Sequence, residues 1–124
     1  MTHPDHQLGA RAEETVAAWL TGRGWSVLAR RRRTSAAELD LVARDPAGVL
    51  VAVEVKCRRG GRMGTAAESL GPRQIRRLRR GLVECLATLD LHDTVDLRID
   101  LVTVEPGETA AQWRLRRIPQ VDAW

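Results

Sequence analysis

The sequence predicts a single α/β domain in which helices flank a central mixed β-sheet, with the element order α-β-β-β-α-β-β. Two patterns support this fold class: apolar residues recur at helical spacing in two segments, and they alternate or run continuously, as in strands, in five others. Size is the third observation, because a chain of 124 residues has room for one domain that buries roughly two-thirds of its unfolded surface. We therefore assign residues 1–124 to one domain.

Turn and capping residues divide the chain into these elements. Residues 1–7 are expected to form a flexible tail. Gly22 and Gly24 end the first helix, Pro46-Ala47-Gly48 forms a turn between two strands, and Pro72 opens the long second helix. The third strand is apolar on both faces, which is typical of a central strand. In chain order, we predict a helix over 8–21, strands over 25–30, 38–44 and 49–56, a helix over 72–89, and strands over 95–105 and 113–118.

Composition excludes several classes of protein. No apolar run approaches the roughly 18–20 residues that a membrane span needs, and the N-terminus lacks the profile of a signal peptide. Cys57 and Cys85 are too few for a disulfide scaffold and have no CxxC spacing, so free thiols in the cytoplasm are expected. The net charge of +4 favours an anionic partner, either nucleic acid or an acidic protein surface.

Two neighbouring strands carry charged residues within apolar runs. If Asp45 pairs with Val49 across the short turn, counting outward places Asp40 opposite Glu54, and the strand period of two adds Lys56 to the same face. Two opposed carboxylates repel unless a proton or a cation lies between them, and Mg²⁺ prefers such hard oxygen ligands. Lys56 is the only lysine of the chain, and its ammonium can position water or neutralise charge on a phosphate. The pattern indicates metal-assisted hydrolysis of a phosphodiester.

The same pattern has a simpler interpretation. A Glu-x-Lys triplet is common by chance, and Asp40 and Glu54 are also compatible with a solvated outer face on which Lys56 is an ion-pair partner. The two-sided apolar character of the third strand argues against this, because it indicates that Glu54 is at least partly buried. Spacing alone leaves both interpretations open.

These residues resemble those of a known family. The segments Glu38-Leu39-Asp40-Leu41-Val42-Ala43 and Val53-Glu54-Val55-Lys56 resemble two consecutive strands of the YraN-like family of predicted endonucleases. The resemblance extends from about Leu8 to Glu105 and includes Glu13 in the first helix and Arg76-Arg77-Leu78 in the second. That family is similar to Holliday-junction resolvases and to the wider PD-(D/E)xK superfamily. One departure is Arg31, which stands where the family commonly has asparagine.

The resemblance implies a restriction-endonuclease-like fold and a nuclease that uses Mg²⁺ or Mn²⁺. It implies that Asp40 and Glu54 are metal ligands, that the main-chain carbonyl of Val55 completes the metal shell, and that Lys56 is the catalytic lysine. Glu13 matches a helix glutamate that related resolvases bring to the active site. We therefore predict Asp40, Glu54, Lys56 and Glu13 as catalytic residues, and Asp40, Glu54 and Val55 as the metal site.

Three further acids are assigned lesser roles. Glu38 lies two residues before Asp40, and we expect it to support the site or to be solvated rather than to bind metal. Glu68 is expected to cap the second helix or to be solvated. Asp100 is expected to pair with a nearby arginine.

Clusters of arginine predict a surface that binds phosphate groups. A charged outer face on an amphipathic helix is usually only solvated, but four separate clusters in a small domain favour contact with a nucleic-acid backbone. The absence of Tyr and Phe argues against single-strand binding by base stacking, so double-stranded or branched DNA is the expected partner. The predicted nucleic-acid-binding residues are Arg30, Arg31, Arg32, Arg33, Arg58, Arg59, Arg62, Arg73, Arg76, Arg77 and Arg80.

The leading hypothesis is a Mg²⁺-dependent endonuclease that acts on DNA, with branched or damaged DNA among the candidate substrates. One alternative is a non-catalytic nucleic-acid-binding protein that retains the nuclease fold. The other is a small cytoplasmic protein whose basic surface docks an acidic protein. Related junction enzymes act as dimers, so a homodimer is expected by analogy.

Overall fold

The computed structural model describes residues 4–57, 70–91 and 96–121. The elements follow the order α-β-β-β-α-β-β, which confirms the predicted order and the α/β class. A short 3-10 helix, Ala110–Gln112, precedes the last strand and was not predicted. The bounds of the elements are α1 Pro4–Gly22, β1 Ser26–Arg33, β2 Glu38–Arg44, β3 Leu50–Cys57, α2 Pro72–Thr88, β4 Leu97–Glu105 and β5 Arg114–Ile118.

The five strands form one mixed sheet in the order β1-β2-β3-β4-β5. β1, β2 and β3 are successively antiparallel, β3 and β4 are parallel, and β4 and β5 are antiparallel. α2 lies in the connection between the two parallel strands, as parallel pairing requires a crossover. β3 is therefore the central strand, and the side chains of residues 50–53 are fully buried, as its apolar sequence predicted.

The two helices cover opposite faces of the sheet. Ala12, Val16 and Leu20 of α1 pack in a core with one set of strand residues, which includes Val51 and Val53. The other set of strand residues, which includes Leu50, Ala52 and Ile99, packs in a second core with Leu78 and Leu82 of α2. Among the described residues, no helix combines the length and the apolar character that crossing a membrane requires.

Two boundaries differ from the prediction by more than two residues. α1 begins at Pro4, so four of the seven residues expected in a tail are helical, and proline is well tolerated at a helix start. β1 continues to Arg33 instead of ending at Arg30, because its ladder with β2 extends to Glu38. The arginine run over 30–33 is therefore part of an edge strand and not of a connection.

Candidate active site

The turn between β2 and β3 sets the register of the two acidic strands. Gly48 has a φ of +91°, which suits a residue without Cβ, and the N–H of Asp45 donates to the carbonyl of Val49 at 3.0 Å. Asp45 and Val49 therefore pair as predicted. From this turn, the β2–β3 ladder runs outward to the pair of Leu41 and Val53. The next two opposed positions are Asp40 and Glu54.

At those positions, carboxylates replace main-chain carbonyls as hydrogen-bond acceptors. The ladder ends at the pair of Leu41 and Val53. Beyond it, the N–H of Asp40 donates to Oε2 of Glu54 at 3.2 Å. The N–H of Val55 donates to Oδ2 of Asp40 at 2.9 Å. Each carboxylate thus lies against the main chain of the opposite strand, so the two acids are neighbours where β2 and β3 stop pairing.

The strand alternation is broken at Asp40. Leu39 packs in the core beneath α2, whereas Leu41 packs in the core beneath α1. Residues two apart in a regular strand share one face, so the predicted period of two does not hold through this segment. The hydrogen bond from Val55 shows that the carboxylate of Asp40 lies toward β3 instead.

Burial dominates the electrostatics of the acidic pair. Glu54 is only 5% exposed, and burial together with the negative charge of Asp40 raises its pKa from the ordinary 4.5 to about 8. Burial also raises the pKa of Asp40, although the N–H of Val55 opposes this by donating to its carboxylate. Glu54 therefore keeps its proton at neutral pH when no cation neutralises the pair. Its burial rules out a solvated outer face for this residue.

The charges of Lys56 and Glu13 act on both acids. Lys56 is partly buried on β3, and its ammonium works to lower the pKa of Asp40 and of Glu54. Glu13, from α1, works to raise both pKa values. The fold therefore brings the four predicted catalytic residues into one electrostatic cluster, while their chemical roles stay predictions.

The donors of this cluster fit a single hard cation. Mg²⁺ commonly binds proteins through one or two carboxylates and keeps water in its remaining positions. A cation between Asp40 and Glu54 would relieve the repulsion that raises the pKa of Glu54. Within residues 4–57, 70–91 and 96–121, no group of three or more His, Cys, Asp and Glu side chains is arranged to hold a metal ion. Among these described residues, a metal site would therefore rest on the carboxylates of Asp40 and Glu54, with the carbonyl of Val55 as the predicted third donor.

The other acids have the lesser roles expected of them where they are described. Glu38 is exposed and lies 3.6 Å from Arg33 in an ion pair. Asp100 is fully buried and accepts hydrogen bonds from Arg98 at 2.7 Å and 3.0 Å, which confirms its predicted pairing with arginine. Glu68 lies outside the described residues.

The predicted nucleic-acid-binding arginines occupy two described surfaces. On α2, Arg73, Arg76, Arg77 and Arg80 are all exposed, as their place outside the apolar stripe predicted. On β1, the members of the arginine run are exposed except for Arg32, which is half-buried. Arg58, Arg59 and Arg62 lie outside the described residues.

One contact in this region was not anticipated from the sequence. Nε of Arg31 donates to Oε1 of Glu13 at 2.8 Å, so a predicted catalytic acid is paired with a predicted nucleic-acid-binding arginine. The two residues are 18 positions apart, and no local pattern signals their contact.

The fold and the cluster define a small α/β domain in which two adjacent acids, one buried and one half-buried, lie with a lysine at the end of two antiparallel strands. Residues 12–104 match the family described as "Uncharacterised protein family UPF0102", and the chain belongs to that family.

Several relatives match most of the chain. A UPF0102 protein of Roseiflexus castenholzii is 40% identical over 119 residues, covering 96% of this chain and 95% of the relative. One of Symbiobacterium thermophilum is 43% identical over 101 residues, covering 82% and 84%. One of Deinococcus radiodurans is 36% identical over 110 residues, covering 89% of each.

Among solved structures, SfsA of Pyrococcus furiosus in complex with Ca²⁺ aligns with 90% of this chain and 62% of its own. The TM-score is 0.35 and the sequence identity is 13%, so this likeness is too distant to inform the function.

Proposed function

We propose that the protein is a Mg²⁺-dependent endonuclease that hydrolyses phosphodiester bonds in DNA. One observation carries the proposal: the buried Glu54 and the half-buried Asp40 are adjacent acids, and Lys56, the only lysine of the chain, acts on both. Burying two neighbouring carboxylates destabilises a fold, so such a pair favours a functional role over a structural one. The resemblance to the YraN-like family of predicted endonucleases supports the same function.

Each residue of the cluster would have its own part in the reaction. The carboxylates of Asp40 and Glu54 and the carbonyl of Val55 would hold Mg²⁺ or Mn²⁺. Such an ion, when bound, polarises the phosphoryl group and lowers the pKa of a coordinated water. Lys56 would orient the attacking water or stabilise negative charge on the phosphate, for which a compact ammonium is better suited than a guanidinium.

The proposed substrate is double-stranded or branched DNA. The exposed arginines of α2 and β1 carry donors that pair with phosphate oxygens and are independent of base sequence. The lack of Tyr and Phe disfavours recognition by stacking on single-stranded bases. A cytoplasmic location and a homodimer are the setting that we propose for this activity.

A substrate panel tests the proposal. Linear, nicked, flapped and four-way DNA are incubated with the wild type in Mg²⁺ or in Mn²⁺, and the products are resolved by electrophoresis. We expect cleavage that is abolished by Asp40→Ala and by Lys56→Ala while DNA binding persists. Asp96→Ala is the matched control, because it removes an exposed carboxylate outside the cluster and should leave cleavage intact.

The same panel distinguishes the proposed endonuclease from a non-catalytic nucleic-acid-binding protein. If the wild type cleaves no substrate in either metal, the endonuclease proposal is wrong. Steeply salt-dependent DNA binding without cleavage would then identify a non-catalytic nucleic-acid-binding protein, a role that the exposed arginine face of α2 favours.

A further inference from the structure

Arg31 has an unusual main-chain conformation beside the acidic pair. Its φ is +49°, a left-handed conformation that residues with a Cβ seldom adopt. In the ladder between β1 and β2 it lies between Arg30, which pairs with Leu41, and Arg32, which pairs with Leu39. The position that faces Arg31 is therefore Asp40. Strained conformations of this kind persist where surrounding contacts hold them and are concentrated at functional sites.

Glu13 supplies the contact that holds the Arg31 side chain. The hydrogen bond from Nε of Arg31 to Oε1 of Glu13 is 2.8 Å long, and the side chains are 53% and 19% exposed, respectively. The hydrogen bond to Glu13 and then the charge of Glu13 raise the pKa of Arg31, with weaker contributions from Glu38 and Asp40. Within the described part of the chain, Glu13 engages only Nε of Arg31, which leaves the two terminal nitrogens of the guanidinium as a fork, the geometry that binds phosphate oxygens.

The ion pair between Glu13 and Arg31 argues against Glu13 as a metal ligand. As a metal ligand, Glu13 would direct its negative charge at the ion. In the structure its carboxylate is instead neutralised by Arg31 at hydrogen-bond distance. Among the described residues, no three-acid metal cluster forms around it.

We propose that Arg31 is a phosphate-binding residue of the active site and that Glu13 is the positioning residue that orients it. This inference rests on the proposed function, and it specifies the ligand of Arg31 as a backbone phosphate of the DNA beside the acidic pair. Glu13 then acts through Arg31 and not as a ligand of the metal.

DNA-binding measurements distinguish an orienting role of Glu13 from a simple effect of its negative charge. Removing an acid from a basic protein ordinarily strengthens its attraction for DNA. We expect the opposite for Glu13→Ala, because the freed Arg31 loses its orientation. In fluorescence anisotropy with a labelled four-way junction in EDTA, Glu13→Ala and Arg31→Asn should each weaken binding roughly tenfold. The double variant should be no weaker than either single variant.

Matched controls separate orientation from net charge. Glu14→Ala removes a neighbouring exposed acid of α1 and should leave binding equal or tighter. Arg30→Asn removes an adjacent exposed arginine of β1 and should remain additive with Glu13→Ala. Asparagine is chosen at position 31 because it tolerates a left-handed conformation, and Arg31→Lys, which keeps the charge without the fork, should also weaken binding. Glu13→Gln removes the charge of Glu13 but keeps the size of its side chain. Circular dichroism on every variant checks that weaker DNA binding is not caused by loss of folding.

A metal titration supplies a readout that is independent of cleavage. Mn²⁺ affinity, measured by electron paramagnetic resonance, should change little in Glu13→Ala, which removes only a nearby charge, and fall strongly in Asp40→Asn, which removes a proposed ligand. The inference is overturned if Glu13→Ala loses Mn²⁺ affinity as Asp40→Asn does, if it tightens DNA binding as Glu14→Ala does, or if the wild type does not bind DNA. A wild type that binds DNA and Mn²⁺ as described but cleaves nothing would refute the proposed function alone.

Discussion

At Glu54, burial and the neighbouring charge of Asp40 act in the same direction. Together they raise the pKa of this carboxyl from 4.5 to about 8. Between pH 4.5 and about pH 8, the carboxyl of Glu54 keeps its proton in the folded protein but has lost it in the unfolded chain. The contribution of Glu54 to the free energy of unfolding is therefore largest below pH 4.5, and it is lost as the pH rises through the folded pKa of about 8.

We predict that Glu54→Gln stabilises the metal-free protein at high pH and not at low pH. Glutamine keeps the shape of the side chain and cannot ionise, so the variant escapes the loss of stability that the wild type shows as Glu54 deprotonates. Urea denaturation in EDTA at pH 5 and pH 9 measures this as a gain of a few kcal/mol that appears only at pH 9. A gain of the same size at both pH values would contradict the assigned pKa shift. Added Mg²⁺ should narrow the difference at pH 9, because an ion bound at the proposed site would stabilise the wild type more than the variant, which lacks one of the two carboxylates.

Lys56 allows a second prediction for a single residue. Lys56→Arg preserves the positive charge beside the acidic pair but replaces a compact ammonium with a planar, permanently charged group. We expect it to abolish cleavage as completely as Lys56→Ala does, while thermal stability stays closer to that of the wild type. Recovery of cleavage in the arginine variant would show that charge alone is required at this position.

At the scale of the elements, α2 packs against the turn after β1, and Gly81 is a point of close approach. A Cβ at that position would lie 2.7 Å from Oγ1 of Thr34. This hydroxyl cannot easily move, because it donates to the carbonyl of Ala37 at 2.6 Å and accepts the N–H of the same residue at 2.9 Å. The glycine therefore allows the arginine-bearing helix to pack against the end of the arginine-bearing strand.

Two matched glycine substitutions test this packing. Gly81→Ala should destabilise the protein by about 1–3 kcal/mol, because the added methyl group overpacks the contact with Thr34. Gly9→Ala should instead stabilise it by up to about 1 kcal/mol, because Gly9 lies within α1 and a Cβ there meets nothing within 4 Å. Chemical denaturation of both variants provides the comparison, and a stabilising Gly81→Ala would contradict the close approach.

In the molecule as a whole, a buried ionic network joins segments that are distant in sequence. Arg98 donates to Asp100 and also to Asp45 in the β2–β3 turn, the latter at 2.8 Å. Asp100 further accepts hydrogen bonds from Arg117 at 2.9 Å and from the N–H of Gln120 at 3.0 Å. One fully buried carboxylate thereby connects β4 and the segment after β5, through Arg98, to the turn that sets the register of the candidate active site.

We predict that Asp100→Asn destabilises the protein by about 3–5 kcal/mol, because it removes the fully buried negative charge that pairs with both Arg98 and Arg117. Asp96→Asn, the same chemical change at an exposed position one residue before β4, should alter stability by less than about 0.5 kcal/mol. Thermal and urea unfolding of the pair measures the contrast. Equal effects at the two positions would show that the network does not stabilise the fold.

Much of the fold followed from the sequence because it depends on short-range patterns. The helices and strands were recognised from periodicity, and the opposed positions of Asp40 and Glu54 from the residues of one turn. β1 was predicted too short because consecutive arginines resemble a solvated connection, whereas the strand is maintained by its ladder with β2. The first helix was predicted too short because its opening residues carry no apolar stripe.

The sequence by itself determined which strands carry the buried charges, how those strands pair, and that β3 lies at the centre of the sheet. Only the tertiary structure decided that the alternation breaks at Asp40, that Glu13 contacts Arg31, and that Asp100 joins several segments. The physical reason is range: hydrogen-bonded turns and alternating side chains are set by neighbours along the chain. Contacts between a helix and an edge strand depend instead on how both pack against a common core, which no local pattern encodes.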